Sequence, residues 1–125
     1  MGELWNKDVC FIFIRPQRYT KQFVDNNEYF TLSFFGEEHR KALTFCGRNS
    51  GRDCDKAKET GLTPVEIDGS MSFEESEMVV VCKKLFSQDI DPAGFIDKSL
   101  DSKNYHDKDY HKMYVGEIVA CYIKD

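Results

Sequence analysis

No apolar run in this chain approaches the roughly 20 residues that a bilayer-spanning helix needs, so the sequence offers no membrane segment. The opening MGELWNKD has no basic stretch followed by an apolar one, and so does not read as a signal peptide. Positive charge is also short. Seventeen Lys and Arg face 22 Asp and Glu, and the net charge of −5 disfavours a general role on nucleic acid or on an anionic membrane. Any anion must therefore be met by a local basic cluster. Cys-x-x-Cys pairs are missing, which argues against zinc. The five cysteines (10, 46, 54, 82 and 121) are odd in number and widely spaced, which argues against a disulfide framework. Cys10, Cys82 and Cys121 lie inside apolar runs, where free thiols are commonly buried. These features read as a reduced, cytoplasmic protein without a metal.

What is present suits one folded domain over residues 1–125. Ten Phe are enough to build a core, so disorder is excluded. KDVCFIFI (7–14) is apolar on both alternating faces and predicts a strand covered on both sides. Pro16 ends it, because proline cannot donate to a ladder. YFTLSFF (29–35), PVEI (64–67), FEESEMVVVCKKLF (73–86) and KMYVGEIVACYI (112–123) predict further strands. Thr20 stands before KQFVDN as the expected N-cap of a short helix that packs Phe23 and Val24 inward. GEEHRKALTFCG (36–47) predicts a second helix, with His39, Leu43 and Cys46 on one face and Gly47 as its C′ residue. A polar helix near DKAKE closes at Gly61, and residues 91–111 read as a long loop with one helical turn. Short strands, small helices and a closing antiparallel run predict an α+β domain, mainly β, built on a sheet or barrel.

One segment carries chemistry. In FCGRNSGRDCDK (45–56), Cys46 and Arg52 have the Cys-x5-Arg spacing of cysteine phosphatases. A phosphatase loop needs its thiolate at the end of a strand, facing the amides of the following helix. Here Cys46 falls at the end of a predicted helix, where the dipole has the wrong sign, and Asp53 and Asp55 compete for the next helix's amides. The alternative is a loop that only holds a phosphate. Gly47 and Gly51 let backbone approach an anion, Ser50 offers a hydroxyl, and Arg48, Arg52 and Lys56 bring charge. Upstream, IRPQRYTKQF gathers Arg15, Arg18 and Thr20 where a strand ends and a helix begins. Against both stands the plainer reading: Thr20 only caps its helix, and the arginines are solvated or paired with the abundant acids.

Taken together, IRPQRYT (14–20), FTLSFF (30–35), EEHRKALTFCG (37–47), SGRDCDK with ETGLTP (50–64), EMVVVCKKLF (77–86) and DYHKMYVGEIVACY (109–122) resemble the flavin reductase-like family of FMN-binding split β-barrel proteins. The resemblance covers nearly the whole chain. It implies a small antiparallel split barrel with short helices, a homodimer, and FMN bound without a covalent link. It further implies either reduction of flavin by NADH or NADPH, or a flavin electron carrier. By resemblance, Arg18 and Thr20 would face the FMN phosphate and ribityl chain, and Ser33 would lie on a strand beside the cofactor. Ser50, Gly51 and Lys56 would contact its polar side, and His111 the cofactor or nicotinamide. The family normally carries a flavin-touching portion before the strand that here begins at Lys7. The expectation is therefore a fragment, an N-terminally short member, or a wall supplied by another subunit. A relic or assembly module without flavin is the alternative that follows.

Overall fold

The computed structural model describes residues 1–52 and 55–124. Two short strands open the chain, β1 (Gly2–Leu4) and β2 (Lys7–Ile14). They are joined through Trp5 and Asn6, both with positive φ (55° and 58°), the backbone of a tight hairpin turn. Helix α1 (Thr20–Asn26) follows, then β3 (Tyr29–Phe34). A 3-10 turn over Glu37–His39 leads into α2 (Arg40–Arg48), and α3 spans Lys56–Thr60. The hairpin of β4 (Pro64–Ile67) and β5 (Ser70–Phe73) turns at Asp68 and Gly69, again both with positive φ. Two long strands complete the frame: β6 (Met78–Asp89) and β7 (Lys112–Ile123), separated by a 3-10 turn at Pro92–Gly94 and by α4 (Ser99–Asn104).

The main sheet has the order β1-β2-β7-β6-β3 and every pair is antiparallel. The order is linear, with β1 and β3 at the edges, so the sheet does not close on itself. The mainly β, α+β expectation holds. In the middle of the sheet Cys10, Phe30, Val80 and Cys82 form a buried cluster, with Ile12, Leu32, Met78 and Ile118 packed on it. Val9, Val81 and Val115, which alternate with these positions, are at most 1% exposed, so the centre is covered on both faces. Each such side chain contributes about 1.5–3 kcal/mol on burial. Phe30 reaches its place by lying over Gly116: a Cβ there would stand 2.6 Å from the ring and 2.8 Å from the Cβ of Cys82.

Several local expectations are corrected. Thr20 is not an N-cap. Tyr19 precedes the helix in an αR conformation with no side-chain cap, and the Arg18 N–H already bonds the Arg15 carbonyl at 3.1 Å, so a helical turn is under way before Thr20. Phe23 is half exposed and only Val24 is buried on α1. Gly47 is not the C′ residue either. It lies inside α2, and Asn49 ends the helix by donating both its N–H (3.1 Å) and its Nδ2 (2.9 Å) to the Phe45 carbonyl. Leu43 is 45% exposed, so α2 has no continuous buried stripe. Phe73 belongs to β5, since the charged Glu74–Glu77 segment turns before β6 begins. The α3 reading stands: Asp55 caps it by accepting from the Lys58 N–H, and Gly61 ends it at φ 78°.

Candidate functional site

The first wall of the site is the turn between β2 and α1. Pro16 breaks the ladder, and hydrogen bonds from Arg18 N–H to Arg15 and from Lys21 N–H to Arg18 (both 3.1 Å) curl the chain. Gln17, Arg18 and Tyr19 are thereby set at the head of α1. The second wall is the loop from the end of α2 to α3. Ser50 Oγ accepts the Arg52 N–H at 3.1 Å, and Lys56 Nζ donates to the Cys46 carbonyl at 2.7 Å, folding the loop back across the end of α2.

The two walls touch. Arg52 Nη1 donates to the Gln17 carbonyl at 2.9 Å, and its guanidinium lies over the Tyr19 ring, 5.4 Å from the centroid. Gly51 packs so tightly beneath Tyr19 that a Cβ would stand 2.7 Å from the ring. On one side of this contact is a recess of about 830 Å³ lined by Phe13, Ile14, Arg15, Gln17, Arg18, Tyr19, Thr20, Cys46, Gly47, Ser50, Gly51, Arg52, Lys56 and His111. On the other side is a second recess of about 640 Å³. It shares Tyr19, Thr20, Gly51, Arg52 and Lys56, and adds Asp55, Ala57, Pro64, Met71, Ser72 and Phe73.

The cations around the larger recess are not equivalent. Arg15 is committed: it donates to Asp109 and to the Asn104 carbonyl (both 2.9 Å) and lies over the Tyr105 ring. Hydrogen bonds from Gln17 and Arg15 hold the Asp109 carboxyl below its usual range. Arg18 has no ion pair among the described residues. Lys56 uses one N–H on Cys46 and keeps two for other acceptors. His111 shares a 2.5 Å hydrogen bond with the Tyr105 hydroxyl through Nδ1. Burial lowers its pKa and the nearby Arg15 adds to the effect, while Asp109 opposes it.

Of the residues expected at the site, Arg18, Thr20, Ser50, Gly51, Lys56 and His111 all line the larger recess. Ser33 does not. Its Oγ is hydrogen-bonded to Ser72 Oγ at 2.7 Å, and Ser72, not Ser33, reaches the smaller recess. Asp53, expected to compete for the amides of α3, lies outside the described residues, as does Cys54. Tyr19, Gln17 and Ser72 are lining residues that sequence reasoning does not single out. Only the Tyr of RPQRYT offers a hint, as an aromatic beside two arginines. Cys46 sits in the last turn of α2, where carbonyls and not amides gather, so the loop lacks the arrangement a phosphatase nucleophile needs.

What this recess fits is an anionic group with a polar extension. Arg18, Arg52 and Lys56 at its edges, a glycine where a side chain would collide with Tyr19, and the Thr20 and Ser50 hydroxyls suit a phosphate ester.

Comparison with protein families matches residues 8–125 to the family model described as "Flavin reductase like domain". The comparison with curated proteins gives no match. Among solved structures, the FMN-binding protein from Thermus thermophilus, crystallised with p-hydroxybenzaldehyde, is similar at 19% identity and a TM-score of 0.73; the match covers 100% of this chain and 60% of that one. Flavoredoxin from Methanosarcina acetivorans is similar at 17% identity and a TM-score of 0.76, over 98% and 56% of the two chains. Nitrilotriacetate monooxygenase component B from Bacillus cereus gives 12% identity and a TM-score of 0.71, over 94% and 55%. At these identities the likeness is one of fold, an antiparallel split barrel with few short helices. The chain spans 55–60% of the length of these three structures.

Proposed function

The chain belongs to the flavin reductase like family, and on that premise we propose that it is an FMN-binding oxidoreductase, either a flavin reductase using NADH or NADPH or a flavin electron carrier. The observation that carries this reading is the convergence of the Arg18–Thr20 turn and the Ser50–Lys56 loop on one recess, tied together by Arg52 on Gln17.

In this reading Arg18, Arg52 and Lys56 meet the phosphate of FMN, because charge-assisted bonds to phosphate are the strong ones. The Thr20 and Ser50 hydroxyls contact the phosphate and ribityl end, and Gly51 keeps the loop close to Tyr19. When bound, the flavin supplies the redox chemistry, and the chain's part is to hold, orient and tune it. His111, kept neutral by burial and by Arg15, offers its ring to the nicotinamide side without adding positive charge. Ser33 acts through Ser72, to which its hydroxyl is bonded.

The reading also makes the protein a homodimer in the cytoplasm. Phe13, Trp5 and Phe86 are 42–57% exposed, an apolar surface suited to a second copy. Cys10, Cys46, Cys82 and Cys121 are free thiols, as a reducing compartment would have them. The test is a visible absorption spectrum of the purified chain before and after adding FMN, followed by an assay of NADH and NADPH oxidation. A flavin band that co-elutes with the protein supports the reading; a colourless protein unchanged by FMN supports the flavin-less relic.

A further inference from the structure

Away from the recess, at the far end of α1, the Asp25 carboxylate gathers groups from two elements. Oδ2 accepts from Lys21 Nζ at 2.7 Å, within the same helix. Oδ1 accepts from Tyr114 Oη at 2.6 Å and from Lys112 Nζ at 3.1 Å, both on β7. Lys84 of β6 adds a third strand contact, donating to the Val24 carbonyl at 2.6 Å and the Asp25 carbonyl at 3.1 Å. Tyr114 is among the largest fully buried side chains, so its hydroxyl is a fixed point of the sheet.

This cluster reaches the lining of the recess by two routes. A helix of seven residues is about 10 Å long, so a displacement at Asp25 is carried along a rigid rod to Thr20 and Tyr19. Lys112 follows His111 directly and is in register with Ile14, and both of those residues line the recess. Burial opposes ionisation of Asp25, but hydrogen bonds from Lys21, Tyr114 and Lys112 outweigh it and hold the carboxyl well below the usual range. The tie therefore stays charged throughout neutral pH.

We infer that Asp25 is a positioning residue: by joining α1 to β7 it sets the Arg18–Thr20 turn at the distance at which this turn and the Ser50–Lys56 loop grip one phosphate. The inference rests on the flavin reading of the recess and adds to it a residue that touches neither flavin nor phosphate. A merely stabilising role would affect all ligands alike. A positioning role is selective for the phosphate end.

The test uses the full chain and two probes, FMN and riboflavin, which differ only in the phosphate. Asp25→Asn and Lys112→Met are expected to raise the Kd for FMN about tenfold or more, while riboflavin changes less than about twofold. Lys21→Met removes only a contact within α1 and should leave both affinities in place. Equal losses for the two flavins, or no loss for either, would overturn the inference. If Asp25→Asn does not fold, Lys112→Met decides alone. Hydrogen exchange of the amides of residues 19–24 in the ligand-free protein reads the same tie without any flavin. Faster exchange in Asp25→Asn or Lys112→Met supports it, and unchanged exchange overturns it. A wild-type chain that binds neither flavin contradicts the flavin reading, and the exchange measurement then still decides on the tie.

Discussion

Arg52 donates to the main-chain carbonyl of Gln17 at 2.9 Å, 35 residues away in sequence, and this bond closes the gap between the arginine turn and the glycine loop. The same guanidinium covers Tyr19, so one side chain supplies charge, a hydrogen bond and a stacking surface. Arg52→Ala is expected to weaken FMN binding about 10- to 100-fold, since hydrogen bonds to charged groups contribute about 1.5–3 kcal/mol. Arg52→Lys should restore little, because an ammonium neither stacks on the ring nor forks between two acceptors. Fluorescence quenching of FMN measures both variants.

Gly51 gives a steric counterpart. A Cβ there would lie 2.7 Å from the Tyr19 ring, so Gly51→Ala must push the ring away from the loop. The expected result is a weaker FMN complex with little change in melting temperature, since Gly51 and Tyr19 sit at the surface rather than in the sheet's core. Pairing Gly51→Ala with Tyr19→Ala should recover part of the loss, and a double-mutant cycle in FMN affinity checks the coupling.

Gly116 is the core's equivalent, with the opposite signature. Its missing side chain makes room for Phe30 and Cys82 at the centre of the sheet. Gly116→Ala should cost about 1–3 kcal/mol by overpacking, read as a lower urea midpoint. The molecules that remain folded should bind FMN normally.

His111 predicts a pH dependence of stability. Its pKa in the fold is lowered by burial, with Arg15 adding to the effect against Asp109. Between that lowered value and the ordinary histidine value of about 6.5 the unfolded chain holds more protons than the fold. Stability from this group is therefore present above about pH 6.5 and declines as the pH falls through the window below it. Melting temperatures from pH 8 to 5 should show that decline, and His111→Gln should flatten it.

The cysteines separate by exposure. Cys10 and Cys82 are buried, and burial together with Cys10 alongside pushes the Cys82 thiol up to about 12, so neither should react with a thiol reagent in the native protein. Cys121 is exposed and should react freely. Cys46 lines the recess. Peptide mapping after alkylation should find its labelling slowed by bound FMN, while that of Cys121 is unaffected.

The strands were the legible part of this sequence, because the apolar runs of KDVCFIFI and KMYVGEIVACYI report burial within each segment. The helix α3, with Asp55 ahead of it and Gly61 behind, was legible for the same local reason. The ends of α1 and α2 were not. Whether Thr20 caps a helix depends on the turn built by Arg15 and Arg18, and Gly47 stays helical because Asn49 takes over the cap. The hairpins at Trp5–Asn6 and Asp68–Gly69 escaped because β1 and β5, which complete them, are only three and four residues long, too short for a period to show. At the site, residue types announced a taste for anions. That Arg18 and Lys56 face one recess, that Arg15 is spent on Asp109, and that Ser33 is turned to Ser72 depend on contacts distant in sequence.

The most direct test is calorimetric titration of the 125-residue chain with FMN and with riboflavin under identical conditions. A phosphate gripped by Arg18, Arg52 and Lys56 predicts that FMN binds at least about tenfold more tightly than riboflavin, and that high salt narrows the difference. Equal affinity for the two, or no binding of either, would contradict it.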